Sequence, residues 1–162
     1  MTLNILAVTA ALLLSLTNVH AYDAKLTISD LNVRLTSLGA PRVNGTDKSG
    51  DKTVPAIYFG ERKINNNYDV VDALRKAHNA TATIFVKDGE EYVRVSTNVL
   101  TAEGKRAVGT TLAHNAAYES IGKGAQFCGL IDVLGTAFDA CYNPIKDSSG
   151  KTIGIFYVGH KK

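Results

Sequence analysis

The chain has 162 residues, 18 basic against 15 acidic, a net charge of +3, two cysteines and no tryptophan. That length suits one ordinary domain, and a charge so mild and dispersed leaves no basic stripe for nucleic acid. No P-loop, dinucleotide fingerprint, zincin helix or nucleophile elbow occurs, and the histidines and cysteines lack metal-ligand spacing, so neither an enzyme, a cofactor nor a metal is expected.

Ile5 to Leu16 is a nearly unbroken apolar run, and Val19-His20-Ala21 fits the small-x-small pattern of a signal-peptidase site. Residues 1–21 are therefore predicted to be a signal peptide cleaved after Ala21, with a periplasmic or secreted product. A retained membrane anchor is the rival, but the run is short for a span of ~20 residues. Residues 22–55 are expected to form an N-terminal helix and loop, and 56–162 a single domain. Leu31, Leu35 and Leu38 share helical spacing, Asp30 is a candidate cap, and Gly39-Ala40-Pro41 ends the run. Residues 42–53 are polar, contain Gly45 and Gly50, and are predicted to be a surface loop; Ala56 to Phe59 is a short strand.

Asn65-Asn66-Asn67 supplies a cap for a helix over 68–78 with Val70, Val71, Leu74 and Ala77 on its apolar face. Asp69 in its first turn and Arg75, Lys76 and His78 in its last suit the macrodipole, and Asn79 suits a left-handed C-cap. The stretch TATIFVKDGEEYVRVST, 81–97, then predicts a hairpin turning at Asp88-Gly89, with Phe85 opposite Tyr92 and Thr83 opposite Arg94. Strict alternation places Tyr92, Arg94 and Ser96 on one face and Val93 and Val95 on the other. Asn115 caps a short helix over 116–121, and three strands follow, near 125–133, 136–143 and 152–159, with turns at Leu134-Gly135 and 147–150. Hairpins with helices before and between them indicate an α+β fold on an antiparallel sheet.

With a turn at Leu134-Gly135, Cys128 falls opposite Cys141 in a non-hydrogen-bonded pair, where side chains approach closely. An exported chain then favours a disulfide; two buried thiols are the alternative. On that hairpin Phe127, Ile131, Phe138, Ala140 and Tyr142 share a face. If this is also the face of Arg94, the two enclose a small pocket with a guanidinium inside, suited to a carboxylate. Otherwise Arg94 is a solvated or structurally paired strand arginine. His78 is expected as a helix C-terminal cation, His160 as a tail residue and His114 as a loop residue.

From about Tyr58 onward the chain resembles the Cache sensor domains of bacterial chemoreceptors, of the Cache 3/Cache 2 fusion type. The segments that carry this are Val71-Asp72, 80–85 (ATATIF), 93–98 (VRVSTN), 104–110 (GKRAVGT), 142–145 (YNPI) and 150–159 (GKTIGIFYVG). The resemblance implies a PAS-like extracytoplasmic fold with a central antiparallel sheet, flanking helices and a ligand pocket under loops. It places a carboxylate-binding arginine on Arg94 and a further ligand residue on Thr97, while the second arginine of dicarboxylate sensors falls on Ala140 and a usual tyrosine on Phe138. The expected ligand-binding set is Arg94, Tyr92, Ser96, Thr97, Tyr118, Lys123, Phe138 and Tyr142. The expected function is an exported binding protein for a C2–C4 monocarboxylate, presented to a membrane receptor or kinase; the alternative is a module for structure or protein interaction that has lost its pocket.

Overall fold

The computed structural model describes residues 23–162, so the predicted signal peptide lies outside it. The chain forms α1 (Ala24–Thr36), β1 (Pro41–Ser49), β2 (Lys52–Phe59), β3 (Arg62–Lys63), α2 (Asp69–His78), β4 (Thr81–Asp88), β5 (Glu91–Thr97), α3 (Ala116–Gly122), β6 (Phe127–Val133), β7 (Thr136–Lys146) and β8 (Thr152–Lys161). Two antiparallel sheets result: a small one ordered β1-β2-β3 and a large one ordered β5-β4-β8-β7-β6. The α+β class and the central antiparallel sheet are as the sequence predicted. Among the described residues no helix is long and apolar enough to cross a membrane.

Each face of the large sheet has its own core. On one, α1, α2 and the small sheet bury Leu31, Leu35, Ile57, Phe59, Leu74, Ile84, Val86 and Val158. On the other, α3 and the loops around it cover Phe85, Tyr92, Ala140, Tyr142, Ile155 and Tyr157. Helix α1 starts earlier than the leucine spacing predicts, because Asp23 caps it by accepting from the Lys25 N–H at 2.8 Å. Asp30, expected as that cap, lies inside the helix and pairs with Arg34 at 3.0 Å and with His78 Nε2 at 2.7 Å. Helix α2 matches its predicted limits closely, and Asn79 takes the left-handed C-cap with φ 50°. Of its predicted apolar face, Val71 and Leu74 are buried, while Ala77 is exposed.

Two predictions are corrected. Residues 42–53 are not a loop: they supply most of β1 and the start of β2, joined by a turn at Gly50-Asp51. Backbone pairing and the Asp47–Lys63 ion pair at 2.7 Å hold its polar outer strand, while Val54, Ile57 and Phe59 of β2 bury the inner side of the hairpin in the core. His160 is not a tail residue. It lies within β8, only 6% exposed, with Nε2 3.0 Å from Thr27 Oγ1.

The last hairpin turns at Leu134-Gly135 as predicted, with φ 52° and 83°, the two positive values of a type I′ turn. Cys128 therefore pairs with Cys141, and the two form a disulfide with S–S 2.04 Å and Cα–Cα 4.2 Å.

Candidate ligand site

The first hairpin turns one position later than the Asp88-Gly89 signal indicates. Asp88 pairs with Glu91, so Gly89 and Glu90 are the turn, with φ +60° at Gly89 as the first position of a II′ turn requires. Phe85 now faces Arg94 instead of Tyr92. A partner shift of two residues preserves side-chain parity, so Tyr92 and Arg94 stay on the Phe85 face.

Beyond Arg94 a bulge intervenes. Phe85 pairs with Arg94 but Ile84 pairs with Ser96, leaving Val95 as the extra residue. The bulge turns Ser96 to the Ile84 face, where its hydroxyl donates to the Asn67 carbonyl at 2.6 Å. The expected grouping of Ser96 with Arg94 is therefore corrected. Thr97 swings onto the Arg94 side in its place, paired with Thr83, the two hydroxyls 2.6 Å apart. The Val99 N–H also donates to Thr97 Oγ1, at 3.1 Å.

Arg94 is 3% exposed and stands over the Phe85 ring at 4.8 Å. Its Nη1 donates to Thr110 Oγ1 at 2.8 Å and to the Thr111 carbonyl at 3.1 Å, while its buried Nε has no hydrogen-bond partner. No ion pair among the described residues includes it. Burial depresses the affinity of the guanidinium for its proton, opposed by Tyr142 and Tyr157. Those tyrosines pack with their rings tilted, centroids 4.9 Å apart, each 1% exposed, with Phe127 edge-on to Tyr142 at 6.2 Å. Burial pushes the Tyr157 phenol up to about 12 and raises that of Tyr142 further. Tyr157 donates to or accepts from Thr81 Oγ1 at 3.0 Å. Tyr142 and Phe127 share the face of Arg94, as the sequence required for a common chamber.

The loop after β5 grips the arginine at backbone level. Arg94 N donates to Thr110 O and its carbonyl accepts from Gly109 N, both at 2.9 Å. Ser49 Oγ donates to the same carbonyl at 2.7 Å. Val93 bridges to Thr111, so this loop also covers the outer edge of β5. Arg106 anchors its base: it forks onto Asp72 at 2.8 and 2.7 Å, donates to the Thr97 carbonyl at 2.9 Å, and lies 4.4 Å over the Tyr68 ring.

The other expected residues are more scattered. Asn115 caps α3 as predicted, accepting from Ala117 N and Tyr118 N. Tyr118 packs edge-on to Tyr92 at 5.9 Å and stacks on His114 at 4.1 Å, but its hydroxyl donates to the Glu90 carbonyl. It pins α3 to the hairpin turn. Lys123 is exposed at the end of α3. Phe138 is buried in the same core as Tyr142 and also lines a surface cavity with Thr81 and Gly159. Ala140 is fully buried there and brings no second guanidinium. Among the described residues, surface cavities of about 290, 290 and 240 Å³ lie around the fold, and Arg94 lines none of these. Among the described residues no three of His, Cys, Asp and Glu gather as a metal set.

Thr110, Thr111 and Tyr157 belong to the arginine's surroundings and were not singled out as ligand residues. Comparison with known families matches residues 8–162 to the Cache 3/Cache 2 fusion domain. No curated protein and no solved structure matches the chain.

Proposed function

The chain belongs to the Cache 3/Cache 2 fusion family, whose domains are extracytoplasmic sensor modules for small molecules, and from that premise we propose that it binds a C2–C4 monocarboxylate at Arg94. The observation that carries this is a buried guanidinium with no carboxylate against it and a free Nε. A charge held in a dry core is costly unless paired, and a small anion would repay that cost with charge-assisted hydrogen bonds. Tyr142, Tyr157 and Tyr92 line the same face and would meet the remainder of a small acid. Ala140 in place of a second cation supports one anionic group over two. Because Arg94 is packed, α3 and the loop around Thr110 must part to admit the ligand. We further propose export by cleavage after Ala21 and presentation of the bound acid to a membrane receptor or kinase; the disulfide supports an oxidising compartment.

The closed packing around Arg94 favours one rival, a module for protein interaction in which the arginine only fastens the Thr110 loop. A thermal-shift series with acetate, propionate, pyruvate and lactate separates the two. Stabilisation that grows with acid concentration and vanishes in Arg94→Ala supports binding. A flat response to all four acids supports the rival.

A further inference from the structure

The two edges of the large sheet differ. Beyond β5, the Val93–Thr111 bridge and the Leu112 N–H, bonded to the Tyr92 carbonyl at 2.9 Å, cover the backbone. At the opposite edge lies β6, whose partner in the sheet is β7 alone. Its register with β7 runs unbroken from Phe127↔Tyr142 to Val133↔Thr136. The pair next to a two-residue turn exchanges hydrogen bonds, so by alternation Phe127, Gly129, Ile131 and Val133 bond inward to β7. The N–H and C=O groups of Cys128, Leu130 and Asp132 therefore point outward, and no backbone hydrogen bond among the described residues reaches them.

The strand, FCGLIDV, lacks the usual guards of a free edge: it has no Lys or Arg, no proline and no bulge. By contrast β1, an edge of the small sheet, carries Pro41, Arg42, Asp47 and Lys48 and a register shift. Leu130 is 70% exposed, more than any other large apolar side chain among the described residues. An edge of this kind takes another strand, and its own parity selects which one. The outward residues are spaced symmetrically about Leu130. Antiparallel pairing with a second β6 matches Leu130 with Leu130 and Cys128 with Asp132, and each matched pair exchanges both N–H···O bonds. A slip of one residue sets outward groups against inward ones, and a slip of two leaves Cys128 or Asp132 outside the ladder. The charges agree as well. Asp132 of one copy comes beside Cys128 of the other, and Lys25 lines the same recess as Cys128 and Gly129. Neither Lys25 nor Asp132 takes part in an ion pair among the described residues.

We propose that the chain pairs with a second copy of itself through β6, antiparallel and with the two-fold axis at Leu130, joining two five-stranded sheets into one. The contact is isologous and the other edge of each large sheet is covered, so association closes at a dimer. An interface one strand wide is small, and the dimer is a weak one that forms at high protein concentration. It does not rest on acid binding at Arg94. Sedimentation from micromolar to millimolar concentration, with amide hydrogen exchange at both extremes, tests it. The protein should pass from monomer to dimer. The amides of Cys128, Leu130 and Asp132 should then exchange about tenfold more slowly, while those of Gly129 and Ile131, bonded to β7 in both states, should change little. Leu130→Lys sets two ammonium groups across the axis, and Leu130→Pro removes an outward N–H without costing a bond to β7. Each should weaken dimerisation by about tenfold or more. The exchange pattern needs neither variant. A protein that stays monomeric at millimolar concentration overturns the proposal. So does a dimer that both variants leave intact, or one whose slowed amides spare Cys128, Leu130 and Asp132.

Discussion

Replacing Arg94 by methionine should raise the stability of the protein while removing its response to acids. The side chain is buried and cationic, lacks an anionic partner, and leaves Nε without a hydrogen bond. What holds it is one nitrogen, Nη1, bonded to Thr110 Oγ1 and Thr111 O. Hydrogen bonds from a charged donor contribute about 1.5–3 kcal/mol each, but an unpaired charge in a core costs several kcal/mol. Methionine has similar length, restores contact with Phe85, and leaves the Thr110 hydroxyl still donating to the Ala107 carbonyl at 2.7 Å. Replacing a buried ion pair by apolar side chains of similar volume is often neutral or stabilising by about 1–4 kcal/mol, and a lone buried charge has no pairing attraction to lose. Placing this one at the low end, about 1 kcal/mol, gives a rise of roughly 3 °C in a domain of this size. Thermal denaturation of both proteins, with and without added acid, measures the two effects in one experiment. A fall of more than 2 kcal/mol in Arg94→Met would refute the reasoning, because the arginine would then contribute more as a structural clamp than its burial costs. Persistence of the acid-induced shift in the variant would remove Arg94 from the site.

Further expectations concern the elements around that chamber. Opening the disulfide, by reduction or by Cys128→Ala with Cys141→Ala, releases a short loop and should cost about 3 kcal/mol, roughly 6–12 °C in melting temperature; a change under 2 °C contradicts it. His160 titrates below its ordinary value near 6.5 because burial disfavours its cation, helped by His78 and Lys162 and opposed by Asp139 and Asp23. Its neutral form thus favours folding above pH 6.5, and that contribution is lost as pH falls from 6.5 toward the depressed value. An NMR titration of its ring should show a midpoint under 6.5, and a higher midpoint contradicts the assignment. Gly109 has φ +83°, and a Cβ there would meet the Ser49 carbonyl oxygen at 2.5 Å. Gly109→Ala should cost 1–2 kcal/mol for the backbone alone, and more for the contact, and should also weaken acid binding by unseating Thr110. Melting within 1 °C of the parent protein would show that the loop does not depend on this contact.

The fold was legible where local chemistry and burial agree. Helix α3 follows from its Asn115 cap, and α2 from its Asn79 C-cap and the buried Val71 and Leu74, although the N-cap of α2 is Tyr68 and not one of the three asparagines. Leu134-Gly135 fixes the register that joins the cysteines. The β1–β2 hairpin was not legible, because neither face of residues 42–46 alternates in burial, and an exposed polar strand reads as a loop. In the first hairpin two departures act differently. Moving the turn from Asp88-Gly89 to Gly89-Glu90 shifts partners by two and preserves faces, so Tyr92 and Arg94 were correctly grouped. The bulge at Val95 changes parity by one, exchanging Ser96 for Thr97. Nothing in VRVST marks that bulge, since it carries no glycine. The resemblance, which put a ligand residue on Thr97, carried information that alternation could not.

The central property of Arg94 is of a different kind, because it consists of what is not beside it. The chain has 15 acidic residues, and from sequence any of them could have paired with this guanidinium. The fold spends them elsewhere: Asp72 holds Arg106, Asp30 holds Arg34 and His78, Asp69 holds Arg62, and Asp47 holds Lys63. Each of those contacts fastens a helix or the small sheet near the surface. The one arginine carried deep into the second core meets hydroxyls, a carbonyl and aromatic rings instead. Those neighbours hold its position without neutralising it, and that combination is what a site for an external anion requires.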